Sequence, residues 1–254
     1  MWADRSVLVT GHTGFKGGWL SLLLAERGAR VHGYSLPPPT TPSFYETTRL
    51  ADRLCTSTFA DIRDDQSVRA VVAASRPEVV FHLAAQPLVR QSYRDPIETF
   101  DVNALGTARL LQAIRGSDTV RAVIVVTTDK CYENTERHEP YRESDRLGGH
   151  DPYSASKACT ELVCQSYRMS FLASAGISLA TARAGNVIGG GDWAADRLVP
   201  DFLRALDGGQ RLTLRSPHAV RPWQHVLEPV SGYLTLAEAL LQDGDGYSEA
   251  WNFG

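Results

Sequence analysis

Glycines at positions 11, 14 and 17, within Thr10-Gly11-His12-Thr13-Gly14-Phe15-Lys16-Gly17-Gly18, constrain this chain more than any other stretch. Ahead of them Ser6-Val7-Leu8-Val9 reads as a buried strand. After them Trp19 to Arg27 reads as a helix that ends at Gly28. A strand that enters a helix through such a turn brings backbone N–H groups close to whatever lies at the helix N-terminus. Those free N–H groups and the positive end of the helix dipole favour an anion there, a pyrophosphate above all. An ordinary tight turn is the plainer explanation of spaced glycines, and only the surrounding pattern can decide between the two.

That pattern is a sustained alternation. Apolar runs recur at 30–34, 55–59, 79–83, 122–127 and 177–182, with helical patterns between them. One helix carries Val68, Val71 and Val72; another fills 96–115, from Pro96 to just before Gly116. A third starts at the N-cap Asp151 with Pro152 in its first position and runs to about Ala175. Alternating strands and helices at this spacing predict an α/β fold with a parallel, doubly wound sheet, which binds ligands at the carboxyl ends of its strands. The Pro37–Pro42 stretch is an extended loop, and the polar residues 131–150 form a loop over that carboxyl edge. From Gly185 the rhythm changes. A glycine-rich loop at 189–193 leads to a helix at 198–206, a short strand at 212–214, a helix at 226–242 and the beginning of a strand at Trp251-Asn252-Phe253.

Composition removes several functions. The chain has 254 residues, 43% apolar and 22% charged, with net charge −3, which gives no electrostatic case for nucleic acid or an anionic membrane. No apolar run approaches the ~20 residues that span a bilayer. The first strand begins almost at once, without room for a signal peptide, so a cytoplasmic protein is expected. Cys55, Cys131, Cys159 and Cys164 show no Cys-x-x-Cys spacing and the histidines are scattered, so no metal site is expected.

Tyr153-Ser154-Ala155-Ser156-Lys157 places a phenol and an ammonium on one helical face. A neighbouring cation favours the phenolate, so the pair can serve as a general base for a hydroxyl proton. A surface pair is the commoner meaning of that spacing alone. Following the fifth strand of a chain that opens on the glycine turn, the catalytic meaning is preferred. His82, at a strand end, reads as a packed histidine, and Trp19, Trp223 and Trp251 read as core residues.

The glycine turn, His82-Leu83-Ala84-Ala85, Asn103-Ala104-Leu105-Gly106-Thr107, Tyr153-x-x-x-Lys157 and Arg183-Ala184-Gly185-Asn186-Val187 together resemble the extended short-chain dehydrogenase/reductase family over essentially the whole chain. Thr128-Asp129-Lys130-Cys131-Tyr132-Glu133-Asn134, Gly148 to Tyr153, Gly189 to Trp193 and Arg221 to Val226 resemble its nucleotide-sugar dehydratases, with CDP-glucose the implied substrate. The resemblance implies a Rossmann-type NAD-binding domain over 1–184 and a smaller nucleotide-sugar lobe over 185–254. That lobe is expected to be truncated, because family members are usually longer. It further implies a homodimer or homotetramer.

The resemblance also assigns roles. Gly11, Thr13, Gly14, Phe15, Lys16 and Gly17 hold the NAD pyrophosphate; Asp61 and Ile62 meet the adenine; Leu83, Ala84, Ala85, Asn103 and Thr127 line the dinucleotide. Tyr153 and Lys157 meet the nicotinamide ribose and the reacting hydroxyl, with Thr128 positioning that hydroxyl. Asp129 is the expected acid and Lys130 the expected base of a water elimination. Gln86, Asn186, Arg197, Arg221 and His225 face the nucleotide sugar. Where an NAD-binding unit often carries an acid at the end of its second strand, this chain has Tyr34-Ser35-Leu36, so NAD rather than NADP rests on the resemblance. A nucleotide-sugar 4-epimerase or reductase, or a non-catalytic nucleotide-binding protein, stays open.

Overall fold

The computed structural model describes the chain apart from residues 136, 138, 215 and 216 and the side chain of Asp245. Strands β1 (Ser6–Thr10), β2 (Arg30–Ser35), β3 (Thr56–Phe59), β4 (Val79–His82), β5 (Ala122–Val126), β6 (Ser178–Ala184) and β9 (Ala250–Phe253) form one sheet in the order β3-β2-β1-β4-β5-β6-β9. Every neighbouring pair is parallel. Two further short strands, β7 (Asn186–Ile188) and β8 (Trp223–His225), pair with each other outside it. The helices are α1 (Phe15–Glu26), α2 (Phe44–Thr47), α3 (Asp65–Ser75), α4 (Val89–Arg94), α5 (Pro96–Phe100), α6 (Gly106–Ile114), α7 (Pro152–Tyr167), α8 (Leu198–Asp207), α9 (Leu227–Gln242) and α10 (Gly244–Tyr247). None is long and apolar enough to cross a membrane among the described residues.

β1, β4 and β5 are buried along their whole length because helices cover both faces, which is why they read as continuous apolar runs. On one face Leu20 and Leu24 of α1 and Val230, Tyr233 and Leu240 of α9 pack on Val7, Val9, Phe81 and Ile124. On the other, Val68 and Val72 of α3, Leu110 and Ile114 of α6 and Cys164 of α7 pack on Leu8, Val80 and Val123. The sheet thus reaches past residue 184, since β9 belongs to it and α9 packs on it, while β7, α8 and β8 lie outside.

Three local features differ from the pattern expected of the sequence. The helix over 96–115 is continuous but takes a wider π-type turn at 101–105 between α5 and α6, and that turn carries Asn103. No strand forms at 212–214: Leu214 is exposed and no neighbouring strand offers a ladder there, whereas Trp223–His225 finds Asn186–Ile188. Of the 131–150 loop, the structure describes all but 136 and 138, and it includes a bridge from Tyr132 to Leu147.

β1 and β4 are adjacent although far apart in sequence, so the chain reverses its winding between them. Two close contacts set the geometry at this point. Gly11 has φ +79°, and a Cβ there would lie 2.7 Å from the backbone of Leu83 and Ala84; one on Gly17 would lie 2.1 Å from the Gly11 carbonyl oxygen. Buried His82 then ties the strand ends together. Thr107 Oγ1 donates to the Asn103 carbonyl (2.6 Å), so it accepts from His82 Nε2 (3.0 Å). Nδ1 is left to accept from Thr10 Oγ1 (2.6 Å), which itself accepts from the Leu83 and Ala84 amides (3.2 Å each). The ring is neutral, its pKa pulled down to about 3 by burial and by the nearby Lys157 charge.

The glycine contacts predict unequal effects. Gly17→Ala meets rigid backbone and is expected to cost ~2 kcal/mol or more, whereas Gly14→Ala, whose Cβ would sit 3.3 Å from the Gly11 oxygen, costs under about 1 kcal/mol. Urea unfolding of the two variants reads the difference. For His82, the unfolded side chain binds a proton near 6.5 and the native one near 3. The unfolded state therefore binds more protons in that window, so stability falls on acidification through it. In His82→Asn the loss between neutral pH and about pH 4 is expected to shrink by roughly 3 kcal/mol in pH-dependent urea titrations.

Candidate active site

The turn after β5 and the first turns of α7 meet at the carboxyl edge of the sheet. Thr128 caps a short turn over Asp129–Cys131 and donates its hydroxyl to Asp129 Oδ1 at 2.9 Å. Lys130 Nζ donates to the same oxygen at 3.2 Å and to Asn186 Oδ1 at 3.2 Å. Asp129 and Lys130 are therefore an ion pair, each about 30% exposed. Thr128 also lies beside the phenol of Tyr153, one of the first residues of α7 after its Asp151 cap.

Tyr153 and Lys157 are both buried, at 8% and 6% exposure. Burial pushes the phenol up to about 12; the Thr128 hydroxyl opposes the rise and the Asp129 charge adds to it. Burial pulls the Lys157 ammonium down to about 8, while it donates to the Val126 carbonyl at 3.2 Å. The cation-lowered phenol expected from the spacing is thus outweighed in this structure by desolvation.

Lys16 completes a cluster of cations that sequence reasoning did not assemble. Its pKa is pulled down to about 7 by burial and then by the charges of Lys157, Arg197 and Lys130, with Asp129 opposing. The N-terminus of α1 beside it has no side-chain cap and no acid in its first turn. Uncapped N–H groups, converging cations and glycines too crowded for any side chain fit the pyrophosphate of a dinucleotide. At the carboxyl ends of β2 and β3 Tyr34 donates to the Asp61 carbonyl (2.7 Å), and the Asp61 carboxylate is gripped by Arg63 through Nε and Nη2 at 3.0 and 2.6 Å. Ile62 is buried against Gly106. Thr13 bonds to Ser35 and to the Leu36 carbonyl, both at 2.9 Å, so neutral hydroxyls occupy the end of β2.

Several residues expected to touch ligands spend their side chains on the protein. Asn103 accepts from the Gln86 amide (2.8 Å) and donates to the Gln86 carbonyl and Ser156 hydroxyl; Gln86 bonds to Thr99 and the Leu88 amide. Thr127 donates to the buried Glu161. Arg197 reaches toward Lys16 and Tyr153 while paired with Asp192 at 2.9 Å. Arg221 donates to the Val220 carbonyl and His225 accepts from the Leu227 amide; both are exposed, and among the described residues no hydrogen bond joins either to the cluster. The Glu161–Arg183 ion pair, 2.9 Å long and 5% exposed or less at either end, is a further feature the sequence reading missed. Its signal was present: a charge inside an apolar strand requires a partner.

The chain is similar to proteins of known activity. The chain is 53% identical over 258 residues to CDP-glucose 4,6-dehydratase of Salmonella typhimurium, spanning 100% of this chain and 72% of that protein. It is 27% identical to a UDP-glucose 4-epimerase of Halalkalibacterium halodurans over 98% of its length and 75% of that enzyme. Among solved structures, the dTDP-glucose 4,6-dehydratase DesIV of Streptomyces venezuelae, solved as a double mutant with NAD bound, superposes with a TM-score of 0.84 at 26% identity, covering 98% of this chain and 75% of that one. The model of the NAD dependent epimerase/dehydratase family matches residues 7–254, and the chain belongs to that family.

Proposed function

We propose that this chain removes water from CDP-glucose to give CDP-4-keto-6-deoxyglucose. The observation that carries the reading is the Asp129–Lys130 ion pair placed beside Tyr153, an acid and a base that a simple 4-epimerase does not need. The 53% identity to CDP-glucose 4,6-dehydratase supports the base of the nucleotide. The segment that carries β7, α8 and β8, elements that lie outside the sheet, is read as the part of the chain that meets the nucleotide sugar.

The C5 proton of a hexose is not acidic until C4 is a ketone, so oxidation must come first. NAD, held at Gly11, Gly17, Lys16 and the N-terminus of α1, would supply a hydride acceptor and donor and a positively charged ring that would favour the Tyr153 phenolate. Tyr153 takes the C4 hydroxyl proton while Thr128 orients that hydroxyl. The two residues of the ion pair then divide the elimination. Lys130 Nζ and the Thr128 hydroxyl both donate to Asp129 Oδ1. The resting pair is therefore ammonium and carboxylate, and the roles are the reverse of those expected from the sequence. Asp129 takes the C5 proton, and Lys130 protonates the C6 hydroxyl as it leaves as water. Asp129 later returns a proton to C5. One proton remains on Tyr153 and one is missing from Lys130. The contiguous groups Tyr153, Thr128, Asp129 and Lys130 offer a route to move it back.

Two experiments test the reading. The purified chain with NAD⁺ is offered CDP-glucose, dTDP-glucose, GDP-mannose and UDP-glucose separately. Loss of one water from CDP-glucose is expected, and a C4 epimer of unchanged mass contradicts the proposal. The assignment of acid and base is read with CDP-6-deoxy-6-fluoroglucose, whose fluoride leaves without a proton. Lys130→Met is expected to lose about 10²- to 10⁴-fold in water elimination and to recover at least about tenfold on the fluoro substrate. Asp129→Asn is expected to lose as much without recovery, and the opposite pattern restores the original assignment.

A further inference from the structure

One buried ion pair holds both flanks of the turn that carries Asp129 and Lys130. Glu161 lies on α7 one turn beyond Lys157, and Arg183 lies in β6. One carboxylate oxygen of Glu161 accepts from the hydroxyl of Thr127, the residue just before the turn. The other accepts from Thr181 Oγ1 at 2.7 Å and Arg183 Nη2 at 2.9 Å. Arg183 Nη1 donates to the hydroxyl of Tyr132, the residue just after the turn, at 2.8 Å and to the Glu143 carbonyl at 3.0 Å. Tyr132 passes the connection on, donating to Asn252 Oδ1 of β9 at 2.6 Å. Its ring stacks on Tyr141 at 5.0 Å and 11°.

Stability alone is a poor account of this arrangement. Two charges withdrawn from water gain little over a well-packed apolar pair of similar volume. Arg183 Nε is buried with no partner, which adds a further cost. An apolar pair, however, has no directed bonds to give to Thr127 and Tyr132. We propose that Glu161 and Arg183 are positioning residues for the elimination step, fixing the 128–131 turn at both ends so that Asp129 and Lys130 are presented to the sugar as one rigid unit. The inference rests on the dehydratase reading given above. Tyr153 and Lys157 are held by α7 itself and Thr128 by the near flank at Thr127, so loosening the far flank at Tyr132 slows elimination more than C4 oxidation.

Tyr132→Phe is the cleanest test, because it keeps the stacked ring and removes only the hydroxyl between Arg183 and Asn252. With NAD⁺ and CDP-glucose its kcat is expected to fall about tenfold or more with KM within about threefold. The near-ultraviolet absorbance of reduced cofactor is expected to build up during its turnover and not during that of the wild-type chain. Glu161→Gln, which also weakens the Thr127 flank, is expected to lower kcat further and to slow oxidation as well; if it does not fold, Tyr132→Phe decides. In Tyr132→Phe, unchanged kcat, or oxidation and elimination slowed equally, overturns the proposal. Amide exchange over 128–131 gives a second reading that needs no turnover: exchange about tenfold faster in Tyr132→Phe supports the clamp, and unchanged exchange overturns it. If the wild-type chain converts no nucleotide sugar, the functional reading fails and the exchange measurement still decides the clamp.

Discussion

A parallel sheet covered on both faces has no place for polar chemistry except the ends of its strands. In this chain β1, β4 and β5 are buried from end to end, and the groups that can bind or react lie at their carboxyl termini. Thr10 ends β1 and Gly11 follows it, His82 ends β4 with Leu83 and Ala84 after it, and Thr128 to Lys130 come after β5. The closeness of β1 and β4 makes Gly11 necessary, since any side chain there meets the Leu83–Ala84 backbone. The same constraint explains the exceptions. Thr181 and Arg183 are polar within β6, and both donate to Glu161. The polar network is the consequence of placing such residues where water cannot reach.

Electrostatics then gives the site its direction. Lys16, Lys130, Lys157 and Arg197 converge, and burial and mutual repulsion hold the Lys16 ammonium well below its usual range. Such a cluster is relieved by an anion, which suits a diphosphate on either ligand. Tyr153 faces the opposite difficulty, since burial holds its proton. Lys16 and Lys157 part with their protons more easily than ordinary lysines and Tyr153 less easily than an ordinary phenol, so the site is tuned by what binds in it, while Asp129 and Lys130 stand as an ion pair.

The architecture was legible because it rests on period and punctuation: apolar runs spaced by amphipathic stretches, glycines between the first strand and helix, and Asp151-Pro152 opening α7. Tyr153 and Lys157 were legible for the same reason, since helical spacing alone puts them on one face. Side-chain partners were not. Asn103 looks free in sequence, but the wider turn at 101–105 aims it at Gln86 and Ser156. Asn186 reads as a ligand contact, but its bond to Lys130 could not be read from the sequence, nor could the pairing of Arg197 with Asp192. The β7–β8 pair was also hidden, because each strand is three residues long and neither can be recognised until the fold brings its partner alongside. Leu212-Thr213-Leu214 shows the reverse, a strand-like alternation with no ladder to join.

The central claim is that hydrogen leaves C4 and arrives at C6 of the same sugar, with Tyr153, Asp129 and Lys130 moving the protons. The most direct measurement uses CDP-glucose carrying deuterium at C4 and follows the label in the product by NMR. The account predicts deuterium in the C6 methyl group of a 4-keto product. Deuterium retained at C4 of a sugar that has kept its C6 hydroxyl contradicts it and makes the chain an epimerase.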